Sequence, residues 1–514
     1  MNLESQDKKE FVIEQEKTLQ NETQMQSQLI ECGGEFVLPD YMPKMQKILR
    51  LEARALPPSR YVGGSSVQMS GNVLHTLIYL GEDGEIGATV LPSKYEFSVP
   101  IDGDSTPVIT ACVDVDTLTY RITAPRKLSI RTRLGAKPHC FIKEDISAQI
   151  TPCGAENVNK LYGEIDSIKT DVLTSSDIQL SDSIEINGSE ECRLLWCGAN
   201  AAVTDVRASE GGVSVRGEIL AKVLADEGGT PKMYTKKIPF DEFVEGDTSR
   251  NSAVNAIAHV ISTEASKEGD REVSVDISVS VEVTADTATK LPVLKDAFSS
   301  ECAAENEYKK VKVSRIAISR SQVYTVGASV AKNTVGAAEA LSVIDTTGKA
   351  TVEDASAANG KITVSGRCEL SSMLTCENEN TSADYTVPFS ISVDCDTSDE
   401  LNITAVASLV NPRVRIEGEK LICDMDIALS LRALKQNEES ILSSVDCTVK
   451  EKYCKSEYPL CLVYPNGESL WGLAKKYHVS PDSLAKVNSL ELSPKAYTDP
   501  EALSGVRALM LELK

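Results

Sequence analysis

One short pattern occurs three times in the chain, at residues 67–74, 213–220 and 362–369. In each copy apolar residues alternate with polar ones, which turns one face of a strand toward a core and the other toward water. The pattern is therefore typical of a half-buried β-strand. A chain that repeats such a strand is expected to fold into repeated β units.

Each copy carries a glycine on its apolar face, and these glycines lie roughly 150 residues apart. That interval is the size of an ordinary domain and is too long for a solenoid repeat. The glycines are Gly71, Gly217 and Gly366. A missing side chain at such a position usually marks a bulge or a neighbouring backbone that comes close. The spacing predicts three tandem β domains.

A proline between apolar residues follows each copy of the pattern. The three prolines are Pro100, Pro239 and Pro388. Because proline has no N–H to donate to a β ladder, we expect these residues on edge strands or at bulges.

Longer alternating stretches follow in the second and third repeats, and they favour antiparallel sandwiches in which every sheet keeps one face in water. The clearest lie at residues 273–283, 401–409 and 421–431. The predicted fold class is mainly β, with three antiparallel β-sandwich-like domains and a small C-terminal βααβ domain. The predicted boundaries are 1–155, 156–312, 313–452 and 453–514.

Three segments are predicted to depart from this strand pattern. Residues 252–266 have apolar positions at helical spacing, which predicts a helix in the second repeat. Pro43 can open a short helix after the turn at residues 38–43. For residues 1–33 the composition fits either a helix or an irregular strand, and both stay open.

The charge of the chain limits its partners. The formal net charge is −23, the isoelectric point is near 4.8, and aromatic residues make up only 5% of the sequence. A strongly acidic chain with few aromatic residues is a poor ligand for nucleic acid or for an anionic membrane surface. We therefore expect no nucleic-acid partner.

The remaining composition indicates a cytosolic protein without a chemical centre. No apolar run is long enough to span a bilayer, and the N-terminus does not resemble a secretion signal. The cysteines are scattered without a CxxC pair, which favours reduced core thiols over disulfides or zinc. No nucleotide-binding, zinc-protease, kinase or nucleophile-elbow motif occurs, so no catalytic, cofactor or metal residue is predicted. A pair of catalytic carboxylates is the one enzymatic arrangement that stays open.

The pattern changes after residue 452. Residues 462–463 predict a short strand, Asn466 and Gly467 a turn, and residues 468–477 a helix. Ser480 and Pro481 predict the start of a second helix, and residues 508–513 predict a closing strand.

This segment resembles the LysM domain. Residues 467–479, GESLWGLAKKYHV, match the family's pattern of glycine, acidic residue, hydroxyl residue, leucine and tryptophan at the start of the first helix. The resemblance implies a binding groove for N-acetylglucosamine glycans between two loops. Its residues here would be Gly467, Glu468, Ser469, Leu470, Asn488, Ser489 and Leu490. Residues 495–503 are an insertion that departs from the family pattern, and Trp471 is either an exposed contact residue or a core lid.

The three upstream repeats resemble the sporulation-coat (SPOCS) domain. The resemblance rests on residues 38–49, 67–80 and 97–100 and on the threefold repetition before a LysM domain. It implies a non-enzymatic adaptor of spore-coat assembly, made in the mother-cell cytoplasm and deposited on the forespore surface. Its expected partners are the ATPase of the coat basement and other coat proteins. The alternative function is attachment to peptidoglycan of the cortex or wall.

Overall fold

A computed structural model describes residues 12–101, 108–151, 158–175, 177–187, 192–269, 271–301, 303–377, 380–396, 400–447 and 460–512. The chain is mainly β, with three antiparallel sandwiches and a small C-terminal module, as the alternating patterns predict. Among the described residues, no helix has the length and hydrophobicity needed to cross a membrane.

Each sandwich consists of two facing sheets. In sandwich 1, β1 (Val12–Gln24), β2 (Gln28–Val37), β7 (Val108–Ala124) and β8 (Lys127–Ile150) face β3 (Met45–Ala55), β4 (Ser59–Gly63), β5 (Ser66–Gly81) and β6 (Ile86–Pro100). In sandwich 2, β9 (Val158–Thr174), β10 (Ile178–Glu185), β14 (Ala253–Glu268) and β15 (Glu272–Ser299) face β11 (Cys192–Ser209), β12 (Gly212–Glu227) and β13 (Pro231–Glu245). In sandwich 3, β16 (Glu305–Ala331), β20 (Asn402–Glu417) and β21 (Lys420–Asp446) face β17 (Ser342–Ala358), β18 (Lys361–Thr375) and β19 (Asn380–Asp394).

Each sandwich has its own apolar core, built from the inward residues of both sheets. In sandwich 2, for example, Val215 and Ile219 of β12 pack against Val275 and Val279 of β15, and all four side chains are fully buried. Sandwiches 1 and 3 have equivalent cores. The three prolines lie in β6, β13 and β19, each an edge strand of its sheet, which confirms their predicted place.

The shared glycines lie where the packing is tightest. Gly71, Gly217 and Gly366 are paired with an aromatic residue on the neighbouring edge strand, namely Tyr95, Phe240 and Phe389. The strand on the other side of Gly217 and of Gly366 carries a β-bulge. A Cβ at Gly366 would overlap the carbonyl oxygen of Thr351 and lie 2.9 Å from the Phe389 ring. Both parts of the prediction, a bulge and a close neighbour, are confirmed there.

A second bulge occurs at one place in all three sandwiches, and it brings the sandwiches together. The bulged residues are Leu49 in β3, Leu195 in β11 and Ile344 in β17. They pack in one apolar cluster with Ile78, Leu224 and Met373, which lie at the same distance beyond the three shared glycines. This cluster marks a pseudo-threefold axis.

The contacts between sandwiches run in one direction around that axis. β11 of sandwich 2 packs against β6 of sandwich 1, β17 of sandwich 3 against β13 of sandwich 2, and β3 of sandwich 1 against β18 and β19 of sandwich 3. On the other sheets, β21 and β8 join in a short parallel ladder, in contrast to the antiparallel pairing inside each sandwich. The three repeats form a closed ring.

Two charged clusters lie inside the ring, and each takes a residue from every sandwich. Near the axis, Asp345 Oδ2 lies 2.8 Å from Arg50 Nη1, and Asp345 Oδ1 accepts a hydrogen bond of 2.9 Å from Lys222 Nζ. All three side chains are buried.

At the second cluster, Arg432 of sandwich 3 donates two hydrogen bonds to Asp286 of sandwich 2, of 2.6 and 2.9 Å, and one to Glu22 of sandwich 1. Burial raises the pKa of Glu22, but hydrogen bonds and charge from His139 and Arg432 outweigh it and hold that pKa below its usual value.

The prediction of a helix at residues 252–266 is wrong. This segment forms strand β14, which pairs along its length with β15. A bulge between Val260 and Ser262 adds one residue to the strand. Apolar positions on the two sides of a bulge are out of phase, and in the sequence that offset resembles helical spacing.

No helix follows Pro43 either. The chain turns between Pro39 and Met42 and enters β3 at Met45. Arg126 donates hydrogen bonds to the carbonyl oxygens of Pro39 (2.7 Å), Asp40 (2.8 Å) and Met42 (2.6 Å), which fixes the turn in place. Of residues 1–33, the described part forms β1 and the start of β2, and residues 1–11 lie outside the described residues.

One of the three predicted domain boundaries lies within the described residues. The boundary between 312 and 313 lies within β16. The boundaries at 155/156 and 452/453 lie outside the described residues and stay predictions.

Candidate functional site

The C-terminal module is a small βααβ unit: β22 (Leu460–Val463), α1 (Leu470–Lys476), α2 (Pro481–Val487) and β23 (Leu509–Glu512). Ser469 caps α1 by accepting a hydrogen bond of 3.1 Å from the Gly472 N–H, and Pro481 is the first residue of α2. The helices cover the two-stranded sheet with a common apolar core. Its most buried members are Leu470, Leu473, Ala474, Leu484, Leu509 and Leu511.

Most residues of the first predicted loop stabilise the fold of the module. Gly467 adopts a φ of +77°, a backbone conformation that favours glycine. Glu468 pairs with Lys476 at 3.0 Å, and Ser469 is the helix cap. Leu470 is fully buried and cannot contact a ligand. The groups left for contact are the exposed Gly467 backbone and the partly exposed Glu468 carboxylate.

The second predicted loop also contributes mainly to the stability of the module. Asn488 donates hydrogen bonds of 2.8 Å to the carbonyl oxygens of Leu484 and Met510, and its Oδ1 accepts one of 2.7 Å from the Met510 N–H. It therefore ties the end of α2 to β23. Ser489 is exposed and Leu490 packs partly into the core.

Trp471 is a lid, not an exposed contact residue. Its side chain is 6% exposed, and its ring meets that of Phe298 edge-on with centroids 5.0 Å apart. The indole Nε1 donates a hydrogen bond of 2.9 Å to Asp296 Oδ2. Phe298 and Asp296 belong to β15, so Trp471 fastens the module to sandwich 2.

Asp296 is the centre of this contact. Its carboxylate accepts hydrogen bonds from Lys475 of α1 at 2.7 and 2.8 Å, from the Tyr308 hydroxyl at 3.0 Å and from Asn306 Nδ2 at 3.1 Å. Burial raises the pKa of Asp296, but the hydrogen bonds from Lys475 and Trp471 outweigh it and hold that pKa below its usual value. Tyr308 and Asn306 lie in β16, so the carboxylate that holds the module is itself held by sandwich 3. Sequence reasoning missed Asp296 and Phe298 because no local pattern links them to a helix so distant in the chain.

The inserted segment 495–503 is part of the module's core. It forms two short 3₁₀ turns, Pro494–Thr498 and Pro500–Leu503, and buries Tyr497 and Leu503. The Tyr497 hydroxyl donates a hydrogen bond of 2.7 Å to Asp482 Oδ1, and burial together with this carboxylate raises the pKa of Tyr497 to about 12. The insertion packs beside α1 and is joined to α2 by the hydrogen bond from Tyr497 to Asp482.

Residues 466–496 match the family model of the LysM domain. The matched residues include both predicted loops and both helices of the module. No curated protein matches the chain, and no solved structure does. The match implies that the LysM module belongs to a family of glycan-binding domains that recognise peptidoglycan, and it makes no statement about the three sandwiches.

A second concave surface lies between sandwiches 2 and 3. It is a cleft of about 460 Å³ whose lining includes Lys222, Lys237 and Arg413. Each of these cations already pairs with a carboxylate, of Asp345, Glu218 and Asp426 respectively. The cleft therefore has little uncompensated charge to attract a ligand, and the LysM module stays the candidate site.

Proposed function

We propose that this protein is a non-enzymatic adaptor of spore-coat assembly. The ring of three sandwiches is the scaffold, and the LysM module docks a protein of the coat basement at the forespore surface. The protein would be made in the mother-cell cytoplasm. The compartment and the coat partners rest on the resemblance of the repeats to sporulation-coat domains.

The observation that carries the proposal is the rigid mounting of the module. Trp471, Lys475 and Asp296 fix α1 to the scaffold, so the module is displayed in one orientation. The same contacts and the core leave few polar groups of the two loops free to bind sugar. A fixed orientation suits a protein that places one coat component relative to another.

Binding of peptidoglycan is the second candidate, and the LysM match favours it. Gly467, Glu468 and Ser489 would then supply the contacts to an N-acetylglucosamine glycan. These residues lie at the surface in both predicted loops.

Binding by the full-length protein separates the two functions. Insoluble peptidoglycan and the purified coat-basement ATPase would be offered to the wild type and to the double variant Glu468→Ala, Ser489→Gly. Glycine suits the φ of +52° at position 489, so the variant keeps the fold. An adaptor binds the ATPase at least tenfold better than peptidoglycan, and the double variant leaves that binding unchanged. Retention on peptidoglycan that the double variant loses would instead establish the glycan function.

A fluorescent fusion tests the compartment. The adaptor function requires the fusion to collect at the forespore surface during sporulation. A fusion that stays diffuse throughout would contradict it.

A further inference from the structure

The outer edge of β22 is an open β-strand edge. Among the described residues, β22 pairs with β23 alone, with Leu462 opposite Met510 and Leu460 opposite Glu512. The N–H and C=O of Met510 are both bonded to Asn488, on the side away from β22. In an antiparallel pair this makes Leu462 and Met510 a non-hydrogen-bonded pair, so the N–H and C=O of Leu462 also point away from the ladder. Those of Leu460 point the same way.

The two edges of this small sheet differ in whether their backbone groups have hydrogen-bond partners. Asn488 covers the β23 edge by taking both backbone groups of Met510. On the β22 edge, no described residue donates to or accepts from the backbone of Leu460, and only the Cys461 thiol, at 4.0 Å, approaches the Leu462 carbonyl oxygen. Natural proteins usually protect such an edge with lysine, proline or a bulge, or by keeping the strand very short. β22 is short, with four residues, but its sequence Leu-Cys-Leu-Val contains no lysine or proline, and its ladder with β23 has no bulge.

The side chains beside this edge are apolar and exposed. Leu460, Leu462 and Tyr464 are 56%, 62% and 63% exposed, and Met510 across the ladder is 43% exposed. The alternate residues Val463, Leu509 and Leu511 are buried in the module. Free backbone groups at the edge therefore lie next to an apolar strip on the exposed face. Both features are needed to bind an added strand.

We propose that β22 binds an extended segment of a protein partner, which adds as a third strand to the sheet. This inference rests on the adaptor function and gives its docking surface. The partner segment carries apolar side chains at alternate positions, to cover Leu460 and Leu462. It carries a basic residue beside Glu512, which is exposed at the end of the strip.

Charge argues for a partner protein against a second copy of this chain. Pairing β22 with β22 of another copy would bring together two molecules with a net charge of −23 each. A basic segment is attracted by the net negative charge of the molecule and by Glu512 beside the strip.

A displayed library of random dodecapeptides, selected on the full-length protein, tests the proposal. The expected peptides alternate apolar residues and contain lysine or arginine. Leu462→Glu should weaken their binding at least tenfold. The matched control is Leu29→Glu, since Leu29 is 68% exposed on β2 in sandwich 1, and it should leave binding unchanged. Circular dichroism checks that both variants are folded.

Backbone methylation of a selected peptide tests strand addition directly. In a β-strand only alternate amides face the neighbouring strand, so N-methylation in one phase should abolish binding and in the other phase should not. Equal effects of the two phases would overturn the proposal, as would peptides that bind wild type and Leu462→Glu alike.

Two measurements on the free protein exclude other occupants. A dimer that Leu462→Glu dissociates would assign the edge to a second copy. Slow hydrogen exchange at the Leu462 amide of the monomer would assign it to another segment of this chain. Either result overturns the proposal, whereas failure to bind the coat-basement ATPase alone contradicts only the proposed function.

Discussion

Asp296 joins three parts of the chain through one carboxylate. It lies in sandwich 2, accepts hydrogen bonds from Tyr308 and Asn306 of sandwich 3, and accepts two more donors, Trp471 and Lys475, from the LysM module. A charged acceptor with this many donors holds them in a fixed geometry, because leaving any of them unpaired costs free energy.

Replacing Asp296 by alanine should release the module from the scaffold. Hydrogen bonds to a charged group contribute about 1.5 to 3 kcal/mol, and Lys475 is partly exposed, so we expect a loss of about 2 kcal/mol of docking free energy. Faster hydrogen exchange in α1 with unchanged exchange in β12 would show the release. Lys476→Ala is the control, because the Lys476 ammonium pairs with Glu468 inside the module. Unchanged α1 exchange in Asp296→Ala would contradict the prediction.

The same carboxylate makes docking depend on pH. The pKa of Asp296 is held below the ordinary value of 3.8 in the docked protein. Its contribution is therefore fully present above that value and is lost as the pH falls through the docked pKa. We expect α1 to stay protected at pH 5 and to lose protection below about pH 4. Asp296→Asn should remove this dependence, and a variant that keeps the same pH profile would show that another group titrates.

Trp471 shows what the sequence alone could not predict at the scale of a residue. Its position in the LysM pattern was evident, but the pattern is equally compatible with an exposed or a covered ring. The decision comes from Phe298 and Asp296, which lie far away in the chain. Long-range partners of this kind leave no periodic signal near the residue that they cover.

At the scale of elements, the repeated strand depends on its glycine. A Cβ at Gly366 would meet the Thr351 carbonyl oxygen and the Phe389 ring, so the backbone of the neighbouring strand would have to shift. Gly366→Ala should lower the free energy of unfolding by about 1 to 3 kcal/mol, measured by urea denaturation. Gly135→Ala is the matched control, because a Cβ at Gly135 in β8 meets nothing within 4 Å. Equal stability of the two variants would refute the packing role.

Strands with uninterrupted alternation were predictable, and interrupted ones were not. β15 and β21 alternate for most of their length, and the sequence predicts them as strands. β14 contains a bulge after Val260, and its apolar residues fit a helix equally well. The first short helix of the LysM module was predictable from the helical spacing of its apolar residues, and the second because Ser480 and Pro481 mark where it starts.

At the scale of the whole molecule, the buried charges hold the three sandwiches together. Arg432 bridges Asp286, which is fully buried, and Glu22. Arg432→Leu leaves the buried Asp286 carboxylate without a counter-charge and leaves Glu22 with His139 alone, and we expect a loss of about 3 to 5 kcal/mol in the free energy of unfolding. Arg216→Ala breaks the exposed pair with Asp241 and should leave the free energy of unfolding nearly unchanged, because solvent screens this pair. Similar unfolding midpoints for the two variants would contradict this role.

The closed arrangement could not be read from the sequence. The repeats predict three units of one kind, but they do not say whether those units are separate or packed together. The packing of the three units depends on Arg50, Lys222 and Asp345. Each repeat contributes a different residue type, and their pairing is visible only in three dimensions.

The one-directional contacts between sandwiches limit self-assembly. Each unit offers one face through β3, β11 or β17 and a complementary face through β6, β13 or β19, so contacts of this head-to-tail kind end only when the last unit meets the first. With three units in one chain the circle closes and no complementary face remains open. A chain with one unit removed would leave one face of each type uncovered, beside a gap the size of one unit. Copy number thus decides whether every such face is covered within a single molecule.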